Sequence, residues 1–497
     1  MLSIVLALVS VPPVQVLRWQ SPDSSRPLSY SAWLESRPAE PVWRIRPISA
    51  LGPRLEPGID VLIEEELVAP LQSQLDTLFA DLVQEGHAPM LYSVAATSAE
   101  SLRAFLSSEY ELGVRHAVLV GDLPVAWFQM IDDWNSNRRR DPDESYEEFP
   151  CDLFFMDIDG TWADRMVRLD TLDSLVPGAD GIYDQHDGDI VPELAVSRLP
   201  ASAVGNEVTL LRRYFSRNHR YRNGGLPVTD RALVYVDDDW VPYASEWDYA
   251  VGYLYPERVF IWQRETTRVR DYRPRIDTAA YQWIQLCSHS WPGGHAMKYN
   301  SGQNWDWFYA DQIAGLDPCA NFYNLFACSN ARFVERNFCG GCYVFQTSTG
   351  LAAVGSTKTG SMLRFEDFYY ALFEGRPLAE ALLIWFYWRM MDGLEPWEQS
   401  WFYGMCLVGD GTLKARVPTA VADVPGPAPT RAVEPTTVVS RNLILAGNQA
   451  TGLILVDATG RRIQSLQPGT NDLSRLAPGV YFIRDASGCA RRVALTK

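Results

Sequence analysis

Between Asp60 and Met391 short, continuously apolar runs alternate with longer stretches in which apolar residues recur at helical spacing. No other feature restricts the fold as much. A strand that is apolar on both faces must be covered on both, and strands joined by helical crossovers run parallel. Asp60-Val61-Leu62-Ile63, Met90 to Val94, Ala117 to Val120 and Leu194 to Leu199 read as buried strands. Helices are expected over Ala69 to Gln84, over Ala99 to Tyr110 and from Ser202 to about Tyr221. The pattern restarts after Gly224-Gly225, with strands expected at 232–236, 258–262, 283–287, 322–327 and 350–356 and helices around 247–254 and from Phe365 to about Met391. The expectation is an α/β protein of two tandem subdomains, residues 56–225 and 226–416.

The 497 residues exceed one ordinary core, and 47% hydrophobic residues with 17 Trp describe a chain that folds. A formal charge of -17 argues against nucleic acid or an anionic membrane as partner. The eight Cys form no dense framework, so disulfides do not hold this fold together. Cys339-Gly340-Gly341-Cys342 is a single CxxC, which reads as a local disulfide or packing ahead of zinc. Met1 to Val11 followed by Pro12-Pro13 has the length of an export-signal core and is too short for a membrane span, although no Lys or Arg precedes it. Residues 1–20 are therefore expected to be a signal peptide and 21–55 an N-terminal segment of short-propeptide length, and no other stretch is long and apolar enough to cross a bilayer. Residues 417–437 carry Pro418, Pro425, Pro427, Pro429 and Pro435 and read as an extended linker. Beyond it, 438–497 shows short strands punctuated by Gly, Asn and Asp, the pattern of a small all-β sandwich.

Two of the apolar runs end in reactive side chains. Trp283-Ile284-Gln285-Leu286-Cys287-Ser288 leads to His289, and Phe322-Tyr323-Asn324-Leu325-Phe326-Ala327 leads to Cys328. Open parallel sheets bind ligands in the crevice outside the carboxyl ends of their strands, so neighbouring strands would bring this imidazole and this thiol together. A free thiol is mostly protonated at neutral pH, and an adjacent imidazole both activates it and later protonates a leaving group. The chemistry expected is acyl transfer by a Cys-His dyad. Buried Cys and strand-end His are also common as inert structural residues. A serine hydrolase finds no Gly-x-Ser-x-Gly elbow.

Val118-Leu119-Val120-Gly121-Asp122-Leu123-Pro124, the Asp152 to Asp159 run, Val196-Ser197-Arg198-Leu199-Pro200, His289, Ala327-Cys328 and Val408-Gly409-Asp410-Gly411-Thr412-Leu413 together resemble the gingipain family of cysteine peptidases, in order and spacing, over roughly residues 55 to 415. The resemblance implies a caspase-like fold of two α/β subdomains with catalysis in the second, acting on protein or peptide substrates with no cofactor in the chemistry. It makes His289 the general base and acid and Cys328 the nucleophile, and it builds the oxyanion hole from the backbone N–H groups of Cys328 and Ser290.

Ser290 stands where the family normally has Gly, so a left-handed backbone there would be strained and the site altered or silent. Gly294-His295 is a competing match for the His motif, but it follows a Trp-Pro-Gly-Gly turn instead of an apolar strand. Glu246 and Asp248 fall where arginine-selective members place the acid of the primary specificity pocket, and either could be an ordinary solvated helix residue. Asp157-Ile158-Asp159-Gly160 with Asp164, and the Asp180 to Asp189 turn, look like the structural calcium loops of the family, without EF-hand spacing. Leu455 to Arg462 and Asn471 to Phe482 resemble the sorting domain of type IX secretion substrates, which implies that secretion machinery as a partner and release or attachment at the cell surface. The rival reading is a catalytically silent caspase-like surface protein that binds through its aromatic-rich clefts.

Overall fold

The computed structural model describes residues 19–417, apart from 20, 24, 38–43, 50–57, 96–97, 140, 143 and 170–173, together with strands between 437 and 495. Two compact units divide the chain at Pro418 and Thr419. The expected signal peptide and the Pro-rich linker fall almost wholly outside the described residues.

The first unit is built on a single eleven-stranded sheet. Its order is Arg44–Pro47, Ala88–Ala95, Gly58–Glu64, Val114–Val120, Ala195–Leu199, Met405–Gly409, Ala352–Ser356, Ala320–Phe326, Tyr281–Cys287, Ala232–Val236 and Arg258–Ile261. The two expected halves are thus one sheet, joined by the last strand: Met405–Gly409 pairs parallel with Ala195–Leu199 and antiparallel with Ala352–Ser356. Within each half the crossover strands run parallel. Two extensive apolar clusters cover the faces, with Leu62, Val234, Trp283 and Phe322 in one and Val61, Leu233, Ile284 and Tyr323 in the other. Adjacent residues of one strand therefore enter different clusters, which is why these strands read as unbroken apolar runs.

Several expected helices shift or divide. The one expected from Ser202 begins at Glu207, capped by the Asn206 side chain, after a 3-10 turn at Ser202–Val204. The long closing helix is two, Phe365–Phe373 and Leu378–Met390, separated at Gly375, whose φ of 79° a helix interior does not allow, and at Pro377. An element absent from the sequence reading is the antiparallel meander His289–Trp291, Gly294–Tyr299 and Asn304–Tyr309. Gly294 is obligatory in it, because a Cβ there would stand 2.2 Å from the Phe308 carbonyl oxygen.

The second unit holds a five-stranded sheet in the order Thr437–Val439, Ala490–Leu495, Gly479–Arg484, Ile454–Asp457 and Arg462–Ser465, and a two-stranded sheet of Asn442–Leu445 with Gly469–Asp472. Leu455, Leu466, Leu473 and Ile483 form its core.

Candidate active site

Three neighbouring parallel strands end at the same level. Val236 pairs with Cys287, and Cys287 pairs with Phe326. The residues just beyond are Asp237-Asp238-Asp239, Ser288-His289 and Ala327-Cys328, so His289 and Cys328 each lie two positions past a paired residue on adjacent strands. The Ser288 N–H donates to the Phe326 carbonyl at 3.1 Å, carrying the pairing one step further. Cys328 is partly exposed, while His289 is 1% exposed.

His289 is held on several sides. Its Nε2 lies 2.9 Å from Asp239 Oδ2. Trp240 tilts against the ring at 5.3 Å, and Trp305 meets it edge-on at 5.4 Å. The same Asp239 oxygen receives Lys298 Nζ at 2.7 Å. Burial acts to raise the Asp239 carboxyl, but the hydrogen bonds from His289 and Lys298 outweigh it and hold the group below the ordinary carboxylate range. Burial pushes Asp237, which is completely enclosed, up to about 7 against the opposing influence of His289 and the Lys298 N–H. Asp238 pairs with Arg264.

Ser290 lies in the strand His289–Trp291 and is not among the residues with positive φ, so replacing Gly here imposes no left-handed strain. Its hydroxyl donates to the Cys328 carbonyl and clips the two strand ends together. Ser329, next to the nucleophile candidate, takes φ of 58° and donates its N–H to the Lys358 carbonyl at 2.9 Å. Lys358 is fully buried and carries Asp132 and Glu147 from the first half on its ammonium, each at 3.0 Å. The turn after Cys328 is thereby tied to the separate hairpin of Trp127–Ile131 and Tyr146–Pro150.

The competing His295 lies elsewhere. His289 pairs with Ala296 and His295 with Ser290, so the two imidazoles leave opposite faces of the meander. His295 is enclosed between Phe308 and Tyr343, and burial pushes it down to about 3. An imidazole that resists protonation this strongly is a poor proton shuttle at neutral pH.

Of the acids expected to bind substrate, Asp248 is committed to Arg258 through two bonds of 2.6 and 2.7 Å. Glu246 is exposed on the helix Ala244–Gly252. Among the described residues one carboxylate cluster has the geometry to hold a metal ion: Asp157, Asp159 and Glu193 place oxygens within 4.8 Å of one another. Burial and then the two aspartates push Glu193 up to about 8, although the Ile158 N–H opposes them. The Asp164 oxygens instead accept N–H groups of Asp180 and Gly181.

The sequence alone assigned no role to Asp237, Asp238 or Asp239. The signal for Asp239 was its place after the strand beside that of His289, and the signal for Lys298 lay in an unrecognised hairpin. No curated protein matches the chain. The family model described as peptidase family C25 matches residues 71–416, which include all three strand ends. With well over half its length matched, the chain belongs to peptidase family C25, the gingipain family of cysteine peptidases.

Proposed function

We propose that this peptidase is an exported endopeptidase working through a Cys328-His289 dyad that Asp239 orients. The observation that carries the reading is the 2.9 Å contact of His289 Nε2 with Asp239, which leaves the other ring nitrogen to serve a thiol one strand away. In the acylation step the imidazole takes the Cys328 proton while sulfur forms a bond to the peptide carbonyl carbon. The oxyanion is received by the N–H groups of Cys328 and Ser290. Collapse breaks the C–N bond, and the imidazolium returns the proton to the leaving amine. Water, deprotonated by the same imidazole, then releases the acid and restores the thiol.

With Asp248 taken by Arg258, Glu246 is the acid left to favour a basic side chain before the scissile bond. Equal cleavage of Arg, Lys and Leu reporter peptides rejects that preference. Asp157, Asp159 and Glu193 would hold the structural calcium expected of the family, and a bound cation would relieve the repulsion that raises Glu193. Residues 438–497 are the proposed type IX sorting module, and unchanged export after truncation at Val417 counts against it.

The deciding experiment is labelling with a peptidyl thiol-reactive inhibitor bearing Arg or Lys, with the modified Cys mapped by mass spectrometry. Labelling of Cys328 that is lost in His289→Ala is expected. A folded protein that does not label at Cys328 in calcium and reductant is the silent binding protein instead.

A further inference from the structure

Lys298 is 7% exposed, and a buried ammonium is costly to desolvate unless something beside it gains from the charge. It lies on Gly294–Tyr299, opposite Trp305, whose ring its ammonium overlies at 5.1 Å. Two contacts run from this one residue to the acidic turn. The backbone N–H donates to Asp237 Oδ2 at 3.0 Å, and the ammonium lies 2.7 Å from Asp239 Oδ2. The backbone contact already ties the meander to the turn, so the side-chain charge has a different consequence. His289 Nε2 and Lys298 Nζ meet the same carboxylate oxygen.

We propose that Lys298 is a positioning residue of the dyad: by sharing Asp239 with His289 it sets the pH range over which Cys328 is reactive. The inference rests on the dyad reading above. Asp239 alone would orient the imidazole and also stabilise its protonated form by Coulomb attraction. With Lys298 on the same oxygen, the acceptor keeps its direction while much of its charge is cancelled. The other charged and titratable groups around the cluster are Asp237 and Asp238 of the same turn, Arg264 on Asp238, Asp306 across the meander, the buried Cys287 thiol and Cys328. Asp238 and Arg264 offset one another. Lys298 is the cation that reaches the oxygen on which His289 rests.

Removing that cation has one sign on both proton transfers. The thiolate forms at higher pH, and the imidazolium, facing an uncompensated carboxylate, also survives to higher pH. The experiment is the pH dependence of Cys328 alkylation by iodoacetamide in the full chain, a reaction that needs no peptide substrate. Lys298→Met is expected to move the profile upward by about one pH unit, and Lys298→Arg to leave it on that of the parent. Superposition of the Lys298→Met profile on the parent profile overturns the proposal, as does an equal displacement in Lys298→Arg. Should Lys298→Met fail to fold by circular dichroism, Lys298→Gln is read in its place against the same outcomes. A His289→Ala control separates the two ideas: a parent profile identical to that of the control refutes the dyad itself, whereas a distinct parent profile unaltered by Lys298→Met refutes only the role of the lysine.

Discussion

Replacing Lys358 with Met should expose how strongly the turn after Cys328 depends on the hairpin of Trp127–Ile131 and Tyr146–Pro150. The ammonium is completely buried, lies 3.0 Å from both Asp132 and Glu147, and also donates to the carbonyls of Thr359 and Ser400 at 2.7 and 2.5 Å. It rests over Trp134 and Phe149, so Met can occupy the same apolar channel. What Met cannot do is neutralise Asp132, whose side chain is fully enclosed, or serve the two carbonyls. Removing one partner from a buried ion pair costs about 3–5 kcal/mol. For a unit of about 400 residues the unfolding entropy is about 0.8 kcal/mol/K, so the melting midpoint should fall by about 4–6 °C. Calorimetry at pH 8 measures the shift. Repeating it at pH 5 should show a smaller loss, because the stranded carboxylates can then take protons and become neutral. Asp132→Asn added to Lys358→Met should restore part of the midpoint for the same reason. Because the Ser329 N–H hangs on the Lys358 carbonyl, peptidase activity should fall at temperatures where the variant is still folded. A midpoint within about 1 °C of the parent, or a double variant no more stable than the single one, refutes the assignment of this energy to the buried charge.

Asp239→Asn keeps the size of the group but removes the charge beside His289 Nε2; on the proposed mechanism kcat/KM should drop about 10²-fold or more while the fold, read by circular dichroism, is unchanged. Ser290→Ala removes the hydroxyl that clips the Cys328 carbonyl, worth about 1 kcal/mol, so kcat/KM should fall roughly fivefold, and an unchanged rate would show that the clip has no bearing on catalysis. Glu193 titrates at about 8 when folded, above its ordinary value, so its ionised form opposes folding and its contribution to stability declines as pH rises from about 4.5 through about 8. Glu193→Gln should flatten that decline in the melting midpoint, and calcium should raise the midpoint of the parent protein but not of this variant. His295→Phe should retain most of the activity measured with a reporter peptide, since that ring packs between Phe308 and Tyr343 on the far face of the meander; loss matching that of His289→Ala would reverse the two roles.

The sequence by itself located the buried crossover strands, because each needed only its own apolar residues to be recognised, and it identified the two that lead to His289 and Cys328, but it passed over Arg44–Pro47 and Met405–Gly409. It also separated the two imidazoles on local grounds: one follows a buried strand and the other a Gly-rich turn. Strand order was not legible. That Met405–Gly409 returns to lie between the halves, making one sheet of two apparent subdomains, depends on pairing between residues some two hundred positions apart. The meander from His289 to Tyr309 was missed because its strands are short and its turn rests on the close approach of Gly294 to Phe308, a contact with no local signature. With the meander went Lys298, and with strand adjacency went the contact of Asp239 with His289. The runs that end near His289 and Cys328 are legible locally, whereas the groups that touch the imidazole are chosen by folding, which brings together strand ends that the chain keeps fifty residues apart.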